Sequence, residues 1–123
     1  MIKRIIIISL ILNVLLYAET KSENIQENKK ENIYEHNCIP CHRYLPSSLG
    51  DMYMRYLKTF SGEITLKAAL KAFLKEPLEQ TSVMSDLFID RFSVKDKTLL
   101  NDKQLDEAIN IYWDLYNVRN KLK

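Results

Sequence analysis

The start of the chain has a distinct hydrophobic pattern. Lys3 and Arg4 precede residues 5–16, which are apolar except for two positions, and Ala18 ends the stretch. A positive start, a short apolar run and a small residue before a polar region are typical of a secretory signal peptide. The run is too short to span a bilayer comfortably. We therefore expect residues 1–18 to be a cleavable signal that exports the protein to the periplasm.

The next stretch is polar throughout. Residues 19–30 contain almost no apolar side chains, so they cannot bury enough surface to become ordered. We expect a flexible tether there and a single domain over residues 31–123, a size that suits one hydrophobic core.

A helical pattern runs through residues 65–76. Thr65 is a candidate N-cap, and Pro77 ends the helix because proline cannot continue it. One apolar stripe at helical spacing consists of Leu66, Ala69, Leu70, Phe73 and Leu74. Another face carries lysines four residues apart, at Lys67, Lys71 and Lys75, which we expect to be solvated surface.

The C-terminal stretch gives the strongest helical pattern. Asn101 and Gln104 have the spacing of a capping box. The following apolar stripe consists of Leu105, Ala108, Ile109, Tyr112 and Tyr116.

The remaining pattern predicts few other elements. Ile33 and Tyr34 suggest a short helix before the first cysteine. The chain has two glycines, three prolines and no long alternating strand pattern. We therefore predict an all-α domain, with loops at about residues 43–52, 58–64 and 77–100.

Charge changes once the signal is set aside. The full chain has 18 basic and 16 acidic residues, and removal of Lys3 and Arg4 balances them at 16 each. A neutral protein has no bulk electrostatic attraction for nucleic acid, so we expect no nucleic-acid partner.

The two cysteines belong to one motif, Cys38-Ile39-Pro40-Cys41-His42. Cys-x-x-Cys-His is the attachment motif of c-type haem. Two thiols within one helical turn can reach the two vinyl groups of a haem, and the histidine that follows lies beneath the iron. We therefore predict one covalently attached haem c, bound by Cys38 and Cys41, with His42 as the proximal iron ligand.

Three other interpretations of the motif fit less well. A thioredoxin-type redox pair normally lies in a βαβ pattern, and nothing resembling a strand precedes Cys38. A disulfide is common in exported proteins, but it gives His42 no role. A zinc site needs four converging ligands, and adding His36 would crowd them into seven residues.

The second axial ligand is open to several candidates. His36 lies on the proximal side of the motif, which leaves Met84, Met52, Met54 or an open site. Met–His coordination raises the reduction potential of haem iron. We favour Met84, which lies beyond Pro77 and well before the C-terminal helix. A methionine is otherwise commonly a core gap-filler.

Together these residues resemble class I cytochrome c. The family has an aromatic residue before its haem motif, as Tyr34 is here, and a middle helix with Leu-x-x-(Tyr/Phe)-Leu-x-x-Pro. Leu70 to Pro77 fits that pattern at each fixed position. The resemblance covers about residues 31–116 and implies a cytochrome c-like fold, with crossed first and last helices and Met84 as distal ligand.

This chain departs from the family in three places. Arg43 replaces the usual glycine after the motif histidine, and Met84 lacks both a glycine-rich approach and a following proline. The interval between Met84 and Asn101 is long, and its residues 85–92 suggest an additional short helix.

The function implied is that of a periplasmic carrier. The protein would transfer single electrons between respiratory redox partners that it contacts transiently, as a monomer without a membrane span after signal removal. No nucleophile–base pair or carboxylate dyad suggests an enzyme. The alternatives are a haem-bearing sensor with an open distal site and a haem subunit of a larger redox enzyme.

Overall fold

The computed structural model describes residues 33–121; the predicted signal and tether lie outside these residues. All regular structure in this part of the chain is helical, which confirms the all-α prediction. Six α-helices follow one another: α1 over residues 33–37, α2 Ile39–His42, α3 Leu49–Phe60, α4 Glu63–Lys75, α5 Asp86–Phe92 and α6 Asp102–Tyr116. Two 3₁₀ turns cover Glu79–Thr81 and Val118–Lys121. None of the described helices has the length and apolar character needed to cross a membrane.

Helix α3 corrects the predicted loops. It begins at Leu49 and continues to Phe60, so it overlaps both intervals, 43–52 and 58–64, that we expected to be irregular. Ser48 and Asp51 form a capping box at its start. The helix ends at Ser61, whose φ of 59° breaks the helical path. Both ends are therefore determined by short polar residues.

The N-cap of helix α4 lies three residues earlier than predicted. Gly62 is its N-cap, and the Thr65 hydroxyl donates instead to the carbonyl oxygens of Phe60 and Gly62, at 2.6 and 3.1 Å. The helix ends at Lys75, as the following proline led us to expect. Helix α6 confirms the predicted capping box, with both the Asn101 and Gln104 hydrogen bonds present.

The core lies between α3, α4 and α6. Helix α1 joins it through Tyr34, whose ring stacks on that of Tyr112 with centroids 6.2 Å apart. Burial of large apolar side chains is the main driving force for folding. The central cluster consists of Tyr34, Tyr53, Tyr56, Leu66, Leu70, Leu105, Ile109, Tyr112 and Trp113.

The lysine ridge of α4, formed by Lys67, Lys71 and Lys75, is not simply solvated, contrary to our expectation. Lys71 lies 2.7 Å from an Asp106 carboxylate oxygen, and Lys75 lies 2.8 Å from Asp102, both on α6. Lys67 pairs with Glu63 in its own helix. The ridge therefore contributes two ion pairs to the packing of α4 against α6.

The long interval after Met84 contains the predicted additional helix. Ser85 caps α5 by accepting a hydrogen bond from the backbone N–H of Phe88. At its end Ser93 has a φ of 60°, and its N–H donates to the Ile89 carbonyl at 2.7 Å. Residues 93–100 then run without helix to α6. We call them the 93–100 segment.

Candidate functional site

A deep crevice opens among the helices of the domain. It has about 1200 Å³ of space when the solvent at its mouth is included. Most of the lining is apolar, with contributions from Leu49, Leu70, Phe73, Leu74, Val83, Ile89, Leu105 and Ile109.

The cysteine motif forms one wall of this crevice. The Cys38 N–H donates to the carbonyl of Tyr34 at 2.9 Å, which continues the chain from α1 into α2. Pro40 lies in the first turn of α2, where its missing N–H costs no helical hydrogen bond. Cys38, Cys41 and His42 all line the crevice. The helical turn therefore brings the three predicted attachment residues to a common cavity.

The two thiols differ in their surroundings. Cys38 is half-buried and Cys41 is exposed, and both are free thiols. Burial raises the pKa of the Cys38 thiol to about 11, because the charged thiolate is poorly solvated there. Cys38 is therefore a neutral thiol at physiological pH.

His42 is held as a neutral imidazole. Burial lowers its pKa, and the positive charge of Lys95 lowers it further. Its Nδ1 is buried and has no hydrogen-bond partner in the described part of the chain. An orphaned polar atom of this kind is uncommon in a protein interior, and the hydroxyls of Tyr34 and Tyr53 share this property. Neutral imidazole is also the form that binds a metal.

The structure separates the three methionine candidates. Met84 and Met52 both line the crevice, whereas Met54 does not and is 52% exposed. The backbone N–H of Met84 donates to the Ser82 hydroxyl at 3.2 Å, just before the cap of α5. Met52 is buried on α3. Cys38, Cys41, His42 and Met84 thus share one cavity, and Met52 is a second thioether within it.

The zinc alternative would need a cluster of metal-ligating side chains. Within residues 33–121, no three His, Cys, Asp or Glu side chains form a group that could hold a metal ion by themselves. This includes His36, Cys38, Cys41 and His42, the set considered for zinc.

Sequence reasoning did not single out Lys95. This residue lines the crevice from the 93–100 segment. Nothing in the polar, non-periodic sequence around Lys95 distinguishes it from the exposed Lys97. Only the path of the 93–100 segment after Ser93 reveals its position.

Comparison with protein-family models, with curated proteins and with solved structures found no match to this chain.

Proposed function

We propose that this protein is a periplasmic c-type cytochrome that transfers single electrons between respiratory redox proteins. The observation that carries the proposal is that Cys38, Cys41, His42 and Met84 line one largely apolar crevice. The motif alone indicates haem attachment. Its position in a largely apolar crevice that Met84 also lines is what favours a carrier.

The residues fit haem in their chemistry as well as their position. Each thiol would add across one vinyl group, its sulfur bonding to one carbon and its proton passing to the other. His42, through its imidazole, and Met84, through its thioether, would hold the iron. The apolar lining would exclude water. When bound, haem supplies a one-electron redox centre whose potential depends on axial ligands and burial.

The partners of such a carrier would be other redox proteins, bound transiently by a monomer. The mouth of the crevice would serve as the contact region, since electron transfer requires close approach to the cofactor. Cys41 is exposed at this wall. The attachment side of the cofactor would therefore lie near solvent.

The test is a reduced pyridine haemochrome spectrum of the full chain, expressed with haem-attachment machinery. The wild type should show thioether-linked haem, and a Cys38→Ala/Cys41→Ala protein should show none. His42→Ala should disturb the absorption spectrum of the folded protein, whereas the matched His36→Ala should preserve it. Absence of thioether-linked haem from the wild type would refute the proposal.

Carbon monoxide separates the carrier from a sensor. A His/Met-ligated haem should bind little of it after reduction, because both axial positions are filled. Rapid and complete binding would instead favour a sensor with an open distal site. Stable co-purification with a large partner would favour the enzyme-subunit alternative.

A further inference from the structure

The lining of the crevice contains a single full charge. Among the described residues that line it, Lys95 is the only lysine, and there is no arginine, aspartate or glutamate. Its neighbours in the lining are mostly apolar. Lys95 as a residue is half-buried, and an ammonium at the edge of an apolar crevice is a favourable partner for an anion bound there.

The described chain supplies no anionic partner for the Lys95 ammonium. No carboxylate in residues 33–121 lies within ion-pair distance of the Lys95 ammonium, whereas Lys67, Lys71 and Lys75 each have one. Lys95 donates only to the backbone carbonyl of its neighbour Asp96. Two of its three donor hydrogens therefore have no partner in the described chain.

The 93–100 segment holds Lys95 at the crevice from both sides. Before it, the Ser93 N–H donates to Ile89 at the end of α5. After it, the Thr98 N–H donates to the carbonyl of Leu74 on α4 at 3.0 Å. Val94 and Thr98 line the crevice together with Lys95. The ammonium is therefore attached to a backbone that is fixed at two points, unlike an ordinary surface lysine.

We propose that Lys95 binds a carboxylate of the cofactor, a haem propionate. By compensating the negative charge of this propionate, Lys95 raises the reduction potential of the iron. The inference rests on the proposed function, because it requires haem in the crevice. Lys95, His42 and Cys38 line the same crevice. An ammonium placed there would hold one propionate inward and favour the reduced iron.

The test compares matched variants of the haem-loaded full chain: Lys95→Gln, Lys95→Arg and Lys97→Gln. Lys97 is exposed and lies two residues along the same segment, so its removal changes net charge equally. Haem content is measured first, by pyridine haemochrome. The midpoint potential is then measured by spectroelectrochemical titration, and the propionate bending mode by resonance Raman spectroscopy.

Lys95→Gln should lower the ratio of reduced to oxidised protein at a fixed applied potential about tenfold, which is about 59 mV for a one-electron couple. Its propionate mode should shift. Lys95→Arg should keep both properties near wild type, and Lys97→Gln should change the potential much less because solvent screens it. If Lys95→Gln loses its haem, the test rests on Lys95→Arg, through its midpoint potential and its propionate mode.

Equal shifts in Lys95→Gln and Lys97→Gln, or an unchanged propionate mode, would overturn the role of Lys95 and leave the haem proposal intact. The role of Lys95 would also be overturned if a haem-bearing Lys95→Arg protein differed from wild type in both midpoint potential and propionate mode. Absence of haem from the wild type would refute both proposals together.

Discussion

The Tyr112 hydroxyl on α6 donates a hydrogen bond to the carbonyl of Leu49 at the start of α3, at 2.6 Å across 63 residues of chain. Both residues also line the crevice. We expect Tyr112→Phe to lower the free energy of unfolding by about 1 kcal/mol, the usual net value of such a bond. Denaturant titration followed by circular dichroism would measure the change. Tyr44→Phe, at an exposed position, is the control and should change stability by less than about 0.5 kcal/mol.

The methionines of the crevice can be distinguished by spectroscopy. If Met84 binds the iron, Met84→Ala should abolish the weak methionine–iron(III) charge-transfer absorption of the oxidised protein. Met52→Ala should keep the band, although removing a buried side chain will reduce stability by about 2–5 kcal/mol. Met54→Ala, at an exposed position, should change neither property. Loss of the band in Met52→Ala alone would assign the ligand to Met52.

The capping box of α3 predicts a pH dependence of stability. The pKa of Asp51 is lowered, first by hydrogen bonding from the Ser48 hydroxyl and then by bonding from the Ser48 N–H. A lowered pKa in the folded state stabilises the protein above the unfolded-state pKa of about 4 and loses that contribution as pH falls through the folded-state value. Asp51→Asn should therefore be less stable than wild type at pH 7, with the difference shrinking in acid.

A Ser48→Ala background is the control for this effect. Without the serine hydroxyl, Asp51→Asn should change stability less at pH 7, and the pH dependence of the difference should weaken. An unchanged dependence in that background would contradict the hydrogen bond as its cause.

Because of the ion pairs between α4 and α6, we expect the stability of the protein to depend on salt concentration and on alkaline pH. Hydrogen bonding to Asp106 raises the pKa of Lys71, so its contribution is present below the ordinary lysine pKa and is lost as pH rises through the raised value. Lys71→Gln should destabilise the protein more at low salt than at high salt, as screening weakens exposed pairs. Lys103→Gln, which breaks no ion pair among the described residues, should show neither dependence.

The elements predicted well were those whose ends carry local signals. Asn101 with Gln104, and Pro77 after an apolar stripe, determine helix ends through contacts within a few residues. Helix α3 was not predicted, and its first turn contains Gly50. A Cβ at Gly50 would lie 3.2 Å from the Tyr116 ring, so this glycine serves close packing against α6. Such a contact is not visible in local sequence.

The residues of the candidate site also differ in how far the sequence alone predicts them. Cys38, Cys41 and His42 are neighbours in sequence, and their spacing alone predicts their chemistry. The choice of Met84 needed position and family resemblance, and the presence of Met52 in the same crevice follows only from the packing of α3. Lys95 needed the path of the 93–100 segment. Residues that meet through long-range packing carry no local pattern to identify them.

Trp113 gives the protein a built-in optical reporter. It is the only tryptophan of the chain, it is 4% exposed, and its ring lies 5.6 Å from that of Tyr53 in the core. A buried indole emits at shorter wavelength than one in water, and a haem bound as we propose would quench that emission. One fluorescence spectrum would therefore distinguish the unfolded chain, the folded chain without cofactor and the loaded protein, because each state gives a different combination of wavelength and intensity.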